Sequence, residues 1–211
     1  MKNLVRFFTG LVLLAGCAEN DLPAPEDEYD IHFAGYKYEW VLLGPTFDFA
    51  HYWKNGKGKL LSGLGVANSI FLDEGTVYIA GYTGDILNES KAVIWINGTG
   101  VVLSDEISGA NAVYISNGIV YVAGWTRSDG YNSRATLWID GEKNILSDST
   151  SMANALYVSG DEYYVAGSDF YQGGLEKATI WTKGERTVLS PDYSWITAIT
   201  VSGGVVYSAG T

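Results

Sequence analysis

The sequence predicts an all-β fold, a β-propeller of four-stranded blades, from three features of a repeat. The dipeptide Ala-Gly recurs in steps of 43 residues, at positions 80, 123, 166 and 209. A tryptophan recurs in the same register at Trp95, Trp138 and Trp181, and Leu-Ser recurs at positions 103, 146 and 189. A period of this length indicates supersecondary units that bury their apolar faces against their neighbours.

One repeat reads as four short strands, named here A to D. Asn117-Gly118 and Asp140-Gly141 mark two tight turns, because these residues tolerate the positive φ that a two-residue hairpin needs. In chain order the strands are Ala110–Ser116, Ile119–Trp125, Arg134–Ile139 and Lys143–Ser147. Four antiparallel strands in 43 residues are typical of a propeller blade.

Strands B and C are apolar at nearly every position, as in VYIAG and ATLWI. This pattern predicts strands covered on both faces, as the middle strands of a blade are. The 7 Trp and 15 Tyr supply large side chains for the wedges between blades. We therefore expect one set of tryptophans to be structural: Trp53, Trp95, Trp138 and Trp181. The alternatives are a β-solenoid, which has shorter periods, and a sandwich, which repeats less regularly.

The two end repeats are incomplete. Residues 30–36, 49–55 and 57–62 resemble strands B, C and D, and the chain ends on an A strand, 195–202, and a B strand, 205–209. The resulting 17 strands fill neither four nor five four-stranded blades. We expect about four to five blades, in a truncated piece of a longer propeller or in a natural four- or five-bladed form. In the natural four- or five-bladed form, the last A strand would pair with the first B strand and so close the propeller.

Residues 1–16 predict a signal peptide. Lys2 and Arg6 give a positive start, and Phe7–Gly16 is apolar but shorter than the roughly 20 residues of a membrane-spanning helix. The following LAGC at residues 14–17 resembles the lipobox of bacterial lipoproteins. That resemblance implies a lipidated Cys17, a membrane anchor and a bacterial cell envelope, as an outer-membrane lipoprotein facing the periplasm or the cell exterior. The alternative is an ordinary signal peptide with an incidental cysteine.

Residues 17–29 are acidic and contain two of the four prolines, which predicts a flexible tether before a repeat domain at 30–211. Removing the first 16 residues, which carry two basic and no acidic side chains, changes the formal net charge from −11 to −13. This charge argues against nucleic acid as a partner. The single cysteine excludes an internal disulfide.

The repeat also resembles a known type. Ala67-Asn68-Ser69-Ile70, Val77–Tyr82 and Ala92–Trp95 are similar to the kelch-like, VYVAGY-type repeats of uncharacterised bacterial surface lipoproteins. The twin-glycine kelch motif is absent. The likeness covers residues 30–211 and implies a propeller fold. It implies no activity, because propellers host unrelated functions.

The loops between strands B and C vary most among the repeats and are expected on one face. They bring aromatic side chains beside acids and amides, a combination suited to sugar or peptide ligands. The candidate ligand-binding residues are Tyr82, Asp85, Trp125, Asp129, Tyr131, Asp169, Phe170 and Tyr171. Asn68, Asn111 and Asn154 recur in strand A, either to build the blade or to form a ring of weak binding sites.

No motif of a hydrolase, phosphate loop or metal site occurs, and we interpret His32 and His51 as structural. No catalytic residue, cofactor or metal is assigned. We expect a surface-anchored, non-enzymatic binding protein with a glycan or protein ligand. The alternatives are an extracellular polysaccharide hydrolase or lyase on the same scaffold, and a purely structural repeat module.

Overall fold

The computed structural model describes residues 30–39, 47–84, 89–128, 132–170, 175–183 and 185–211. The chain divides into Met1–Asp30 and Ile31–Thr211, and every described residue except Asp30 belongs to the second unit. Within the described ranges, no helix is long and apolar enough to cross a membrane.

The described residues form 17 strands in five antiparallel sheets. The first sheet contains β1 (His32–Glu39), β2 (Phe47–Lys54) and β3 (Lys57–Leu60). The second contains β4 (Gly65–Asp73), β5 (Thr76–Thr83), β6 (Lys91–Ile96) and β7 (Thr99–Val102). The third contains β8 (Ile107–Ser116), β9 (Ile119–Arg127), β10 (Arg134–Ile139) and β11 (Glu142–Ile145). The fourth contains β12 (Ser151–Ser159), β13 (Glu162–Phe170), β14 (Glu176–Thr182) and β15 (Glu185–Val188). The fifth contains β16 (Ile196–Ser202) and β17 (Val205–Gly210).

This architecture confirms the all-β prediction, and each predicted strand is present. In the second, third and fourth sheets neighbours in space are also neighbours in sequence. The predicted turn residues Asn117, Gly118, Asp140 and Gly141 all have positive φ, between 49° and 83°. Strand β8 begins three residues before its predicted start, because Ile107 already pairs with Arg127 of β9.

The suggested pairing between the last A strand and the first B strand is not found among the described residues. Strand β16 pairs with β17, and β1 pairs with β2 along eight consecutive positions. On its other side β1 packs beside β4 rather than extending the fifth sheet. The three-stranded and two-stranded sheets are therefore separate here.

Each of the three repeated tryptophans is buried in an apolar cluster of its own. Trp95, Trp138 and Trp181 are 2%, 0% and 2% exposed. They occupy corresponding positions in the third strand of their sheets and pair across to Ile79, Val122 and Val165. Their predicted burial is confirmed. The fourth member of the predicted set, Trp53, is half-buried and stacks on the His51 ring at a centroid distance of 5.4 Å.

Side-chain amides join the first strands of successive sheets. Each of the three recurrent asparagines sits at a bulge in the register of its hairpin. Asn68 Nδ2 donates to the carbonyl of Ala110 at 2.9 Å, and Asn111 Nδ2 to that of Ala153 at 2.9 Å. Asn154 Nδ2 continues the series with a 3.0 Å bond to the carbonyl of Ile196. These bonds support the blade-building interpretation of the asparagines.

Buried serines at or just before the start of the third, fourth and fifth sheets form hydrogen bonds with the preceding sheet. Ser151 Oγ accepts a hydrogen bond from the amide of Ala135 at 2.8 Å, and its own amide donates to the carbonyl of Ser133 at 2.8 Å. Ser108 and Ser194 make the corresponding bonds to the amides of Ala92 and Ala178, at 2.9 and 3.1 Å. Because these groups are buried, the serines satisfy backbone donors that water cannot reach.

Candidate functional site

Several predicted ligand-binding residues are buried rather than exposed. Trp125 is only 3% exposed, so the prediction of an exposed aromatic there is wrong. Its register partner is Gly109, and a Cβ at position 109 would lie 2.8 Å from the indole nitrogen. The missing side chain leaves the space that the indole fills, and the Arg127 guanidinium lies 4.8 Å from its ring centroid. Tyr82, at the corresponding position of the second sheet, is half-buried.

Asp169 is also structural, and its predicted place in a loop is wrong. It lies within β13, paired with Lys177 of β14, and its side chain is fully buried. The carboxylate accepts hydrogen bonds from Ser147 Oγ, at 2.9 Å, and from Ser149 Oγ, and it forms an ion pair with Arg186 Nε at 2.9 Å. These partners compensate the cost of burying the charge.

Phe170 also lies in β13 instead of the following loop, because it pairs with Glu176, and it is 38% exposed. The remaining predicted site residues are outside the described part of the chain: Cys17, Asp85, Asp129, Tyr131 and Tyr171. Within the described ranges, no group of three His, Cys, Asp or Glu side chains could hold a metal ion.

A different feature combines aromatic, acidic and amide side chains. It is an open depression of about 400 Å³ beside β12 and β16, which pack against each other. We call it the Trp195 cleft, and its lining residues are Met152, Asn154, Glu176, Tyr193, Trp195 and Thr197. A second depression of about 420 Å³, beside Lys177 and Pro191, contains no aromatic side chain among its described lining residues.

The fourth sheet differs from its neighbours at one position beside the cleft. The second strands of the second and third sheets place Tyr82 and Trp125 opposite the first strands. At the corresponding position the fourth sheet has Ser168, opposite Met152. Ser168 is 1% exposed, so other side chains cover it, and its hydroxyl bonds to Glu176 of the cleft lining.

Two aromatic rings form one wall. Trp195 and Tyr193 have ring centroids 5.5 Å apart and an angle of 76° between their planes. Tyr193 is 59% exposed, and Trp195 is half-buried. The Trp195 backbone is fixed by two hydrogen bonds with Thr211, of 2.8 and 3.0 Å. The rings therefore make an open corner beside a backbone that is held in place.

Glu176 supplies the charge of the cleft. Ser168 Oγ donates a hydrogen bond to Glu176 Oε1, and the Glu176 carbonyl accepts from the amide of Ser194 at 3.0 Å. The corresponding residues of the second and third sheets are Ser90 and Ser133, so the carboxylate is specific to this sheet. Ser168 orients one carboxylate oxygen and leaves the other for an additional hydrogen bond.

The two acids of this region lie on opposite faces of the fourth sheet. Asp169 pairs with Lys177, whereas Glu176 pairs with Phe170, one position further along the strands. Successive side chains of a strand point to opposite faces. Glu176 is therefore the only carboxylate among the described residues that line the cleft.

Neither recurrence among the repeats nor position in a B–C loop identifies the residues of the Trp195 cleft. Trp195 stands where earlier repeats have Val66, Gly109 and Met152. Glu176 likewise replaces a serine, and Ser168 replaces an aromatic residue. The signal that could have located them was thus a local departure from the repeat at several positions that adjoin in space.

No protein-family model and no curated protein matches the sequence. Several solved structures, among them the following three, are similar to this chain. The β-propeller domain of the Trilobed protease from Pyrococcus furiosus, described as having an open velcro topology, has a TM-score of 0.44 and 16% identity; the match covers 80% of this chain and 53% of that one. The acylaminoacyl peptidase of Pyrococcus horikoshii has a TM-score of 0.46 and 17% identity, over 78% and 26%. The α-L-arabinofuranosidase of Clostridium thermocellum has a TM-score of 0.40 and 11% identity, over 83% and 80%. The match thus covers about half of the first chain and about a quarter of the second.

Proposed function

We propose that this chain is a surface-anchored, non-enzymatic binding protein of a bacterial envelope, that its sheets are blades of a β-propeller, and that the Trp195 cleft binds a glycan. The observation that carries the ligand assignment is the corner of Trp195 and Tyr193 beside the carboxylate of Glu176. An exposed corner of this kind has no counterpart in the described part of the second and third sheets.

Packing between the sheets supports the propeller. The first strands β4, β8, β12 and β16 contact one another in succession, and the fourth strands β7, β11 and β15 lie at the far edge of their sheets. The second strands β5, β9, β13 and β17 begin 43 residues apart. Sheets that meet along their first strands and repeat at this interval are typical of blades around an axis.

The chemistry of the cleft supports a sugar ligand. A pyranose ring presents C–H groups on its faces and hydroxyls at its rim. Aromatic rings such as Trp195 and Tyr193 offer apolar contact area with a polar edge. The Glu176 carboxylate accepts hydroxyl donors, and Asn154 adds an amide to the same lining.

The arrangement of carboxylates supports binding without hydrolysis. Most glycosidases place two carboxyl groups about 5 to 10 Å apart across one glycosidic bond. Glu176 faces the cleft, whereas Asp169 points to the opposite face of the sheet and is neutralised by Arg186. These two side chains cannot act together on a substrate held in the cleft.

The binding proposal is tested with a glycan array followed by calorimetric titration of retained sugars. We expect Trp195→Ala to weaken binding at least tenfold, because stacking on the indole is lost. Tyr207→Ala is the matched control, since Tyr207 is a 54% exposed aromatic of β17 that does not line the cleft. Equal affinities for both variants would contradict the assignment of the cleft, and turnover of the sugar would establish the hydrolase alternative.

The anchor is tested separately by detergent partitioning of cells that express the full chain. We expect the wild type in the detergent phase and Cys17→Ser in the aqueous phase or unprocessed, because acyl chains on Cys17 would provide the anchor. A Cys17→Ser protein that is processed and remains membrane-bound would contradict the lipoprotein assignment.

A further inference from the structure

We infer that the Trp195 cleft prefers glycans with a free, protonated amino group over neutral glycans of the same length. This inference rests on the proposed glycan-binding function and adds the charge of the ligand. It follows from three observations: the charge balance of the lining, the open carboxylate oxygen and the geometry of the two rings.

The described residues of the lining include one carboxylate and no cationic side chain. Of its described residues only Glu176 carries a charge, and the others are neutral: Met152, Asn154, Tyr193, Trp195 and Thr197. The adjacent basic residue of β14, Lys177, pairs with Asp169 across the strands and so lies on the other face of the sheet. A neutral ligand that covers Glu176 would remove water from the carboxylate without supplying a positive charge. That desolvation costs free energy.

The hydrogen bonds of Glu176 leave one oxygen available. Ser168 Oγ donates to Oε1, and no other side-chain bond to this carboxylate occurs within the described ranges. An ammonium group has three donors, so it can bond to Glu176 Oε2 and to a neighbouring acceptor at once. Such charge-assisted bonds are about twice as strong as those between neutral groups.

The aromatic corner favours the same ligand. Trp195 and Tyr193 line the same cleft as Glu176, and they flank Ser194, whose amide donates to the Glu176 carbonyl at 3.0 Å. Cations within about 6 Å of such rings are attracted to the ring face. The formal charge of −11 on the whole chain acts in the same direction by attracting cationic ligands.

The test compares three trisaccharides by calorimetric titration at pH 6, where aliphatic amines are protonated. The probes are a glucosamine trisaccharide, its fully N-acetylated form and a glucose trisaccharide. We expect the first to bind at least tenfold more tightly than the others. We also expect its advantage to shrink between 20 and 500 mM salt, because ions screen the pair.

Two variants identify the source of the preference. Glu176→Gln keeps the size of the side chain and removes its charge, so the glucosamine and N-acetylated trisaccharides should bind this variant with similar affinities and the tenfold advantage should be lost. Glu185→Gln, at an exposed position of β15 in the same sheet, is the matched control and should retain the preference.

The results separate this inference from the function on which it rests. Equal affinity for all three sugars, or a preference that survives in Glu176→Gln, overturns the amino-sugar inference and leaves a glycan-binding cleft. Absence of binding to every sugar by a folded wild type overturns both. Binding of the glucosamine trisaccharide that Trp195→Ala leaves unchanged places the amino-sugar site elsewhere and also overturns the inference.

Discussion

The variant Ser151→Ala removes one hydroxyl group. It tests whether the buried serine hydrogen bonds between successive sheets stabilise the fold. Ser151 is 2% exposed, and its Oγ accepts from the buried amide of Ala135 at 2.8 Å. The same hydroxyl donates to the carbonyl of Ser149 at 3.0 Å. The variant therefore leaves the buried amide of Ala135 without its acceptor and removes one donor from the Ser149 carbonyl.

The expected loss follows from these two bonds. A buried polar group left unsatisfied costs about 1–3 kcal/mol. The amide of Ala135 is fully buried, whereas the Ser149 carbonyl belongs to a half-buried loop. We therefore expect the free energy of unfolding to fall by about 2 kcal/mol, which for a domain of this size lowers the midpoint of thermal unfolding by roughly 4–8 °C.

Urea unfolding followed by tryptophan fluorescence measures the change, with Ser116→Ala as control. Ser116 is half-buried, and its hydroxyl makes only a 3.4 Å contact with the Gly160 carbonyl, so its loss should cost less than about 0.5 kcal/mol. Ser108→Ala, which removes the corresponding 2.9 Å bond to Ala92, should match Ser151→Ala. A Ser151→Ala protein as stable as the control would refute the reasoning.

Three other perturbations have defined outcomes. Trp138→Ala should reduce the free energy of unfolding by about 3–5 kcal/mol in urea, because the indole is fully buried in an apolar cluster; a loss under 1 kcal/mol would contradict this packing. Gly124→Ala should fail to give a soluble fold in expression trials, since its Cβ would lie 2.0 Å from the Gly109 carbonyl oxygen; normal yield would contradict the close strand approach. Burial, and then Tyr157, raise the pKa of Tyr114 above the ordinary value of 10.0. Its contribution to stability is complete below pH 10 and is lost as the pH rises through the raised pKa. Urea midpoints from pH 8 to 12 should therefore fall less steeply in Tyr114→Phe, and identical slopes would contradict this.

The strands could be predicted from sequence because the apolar pattern and the turn chemistry agree locally. Arg134–Ile139 was predicted to the residue, since a polar loop and an Asp-Gly turn bound it. Strand ends were less well defined. Asp169 is polar and follows a serine, which suggested a loop, but three partners from two other segments satisfy it inside β13.

The candidate site depended on tertiary pairing that a single strand does not reveal. The burial of Trp125 depends on Gly109, which lies on another strand and leaves the space for the indole. The Trp195 cleft likewise depends on residues that are separated in the chain: Glu176 belongs to the fourth sheet, whereas Tyr193 and Trp195 precede the fifth. A comparison of repeats position by position would have marked these residues, whereas a search for recurring residues passed over them.

The central claim, that the Trp195 cleft binds the ligand, is tested most directly by filling that cleft. Thr197→Tyr places an additional ring at an exposed position of the lining, where it occupies the space of the cleft without disturbing a buried side chain. The measurement is the calorimetric affinity of this variant for the glucosamine and N-acetylglucosamine trisaccharides, with thermal unfolding recorded on the same sample. We predict an unfolding midpoint within a few degrees of the wild type and loss of affinity for both sugars. A folded Thr197→Tyr protein that binds either sugar as tightly as the wild type would contradict the account.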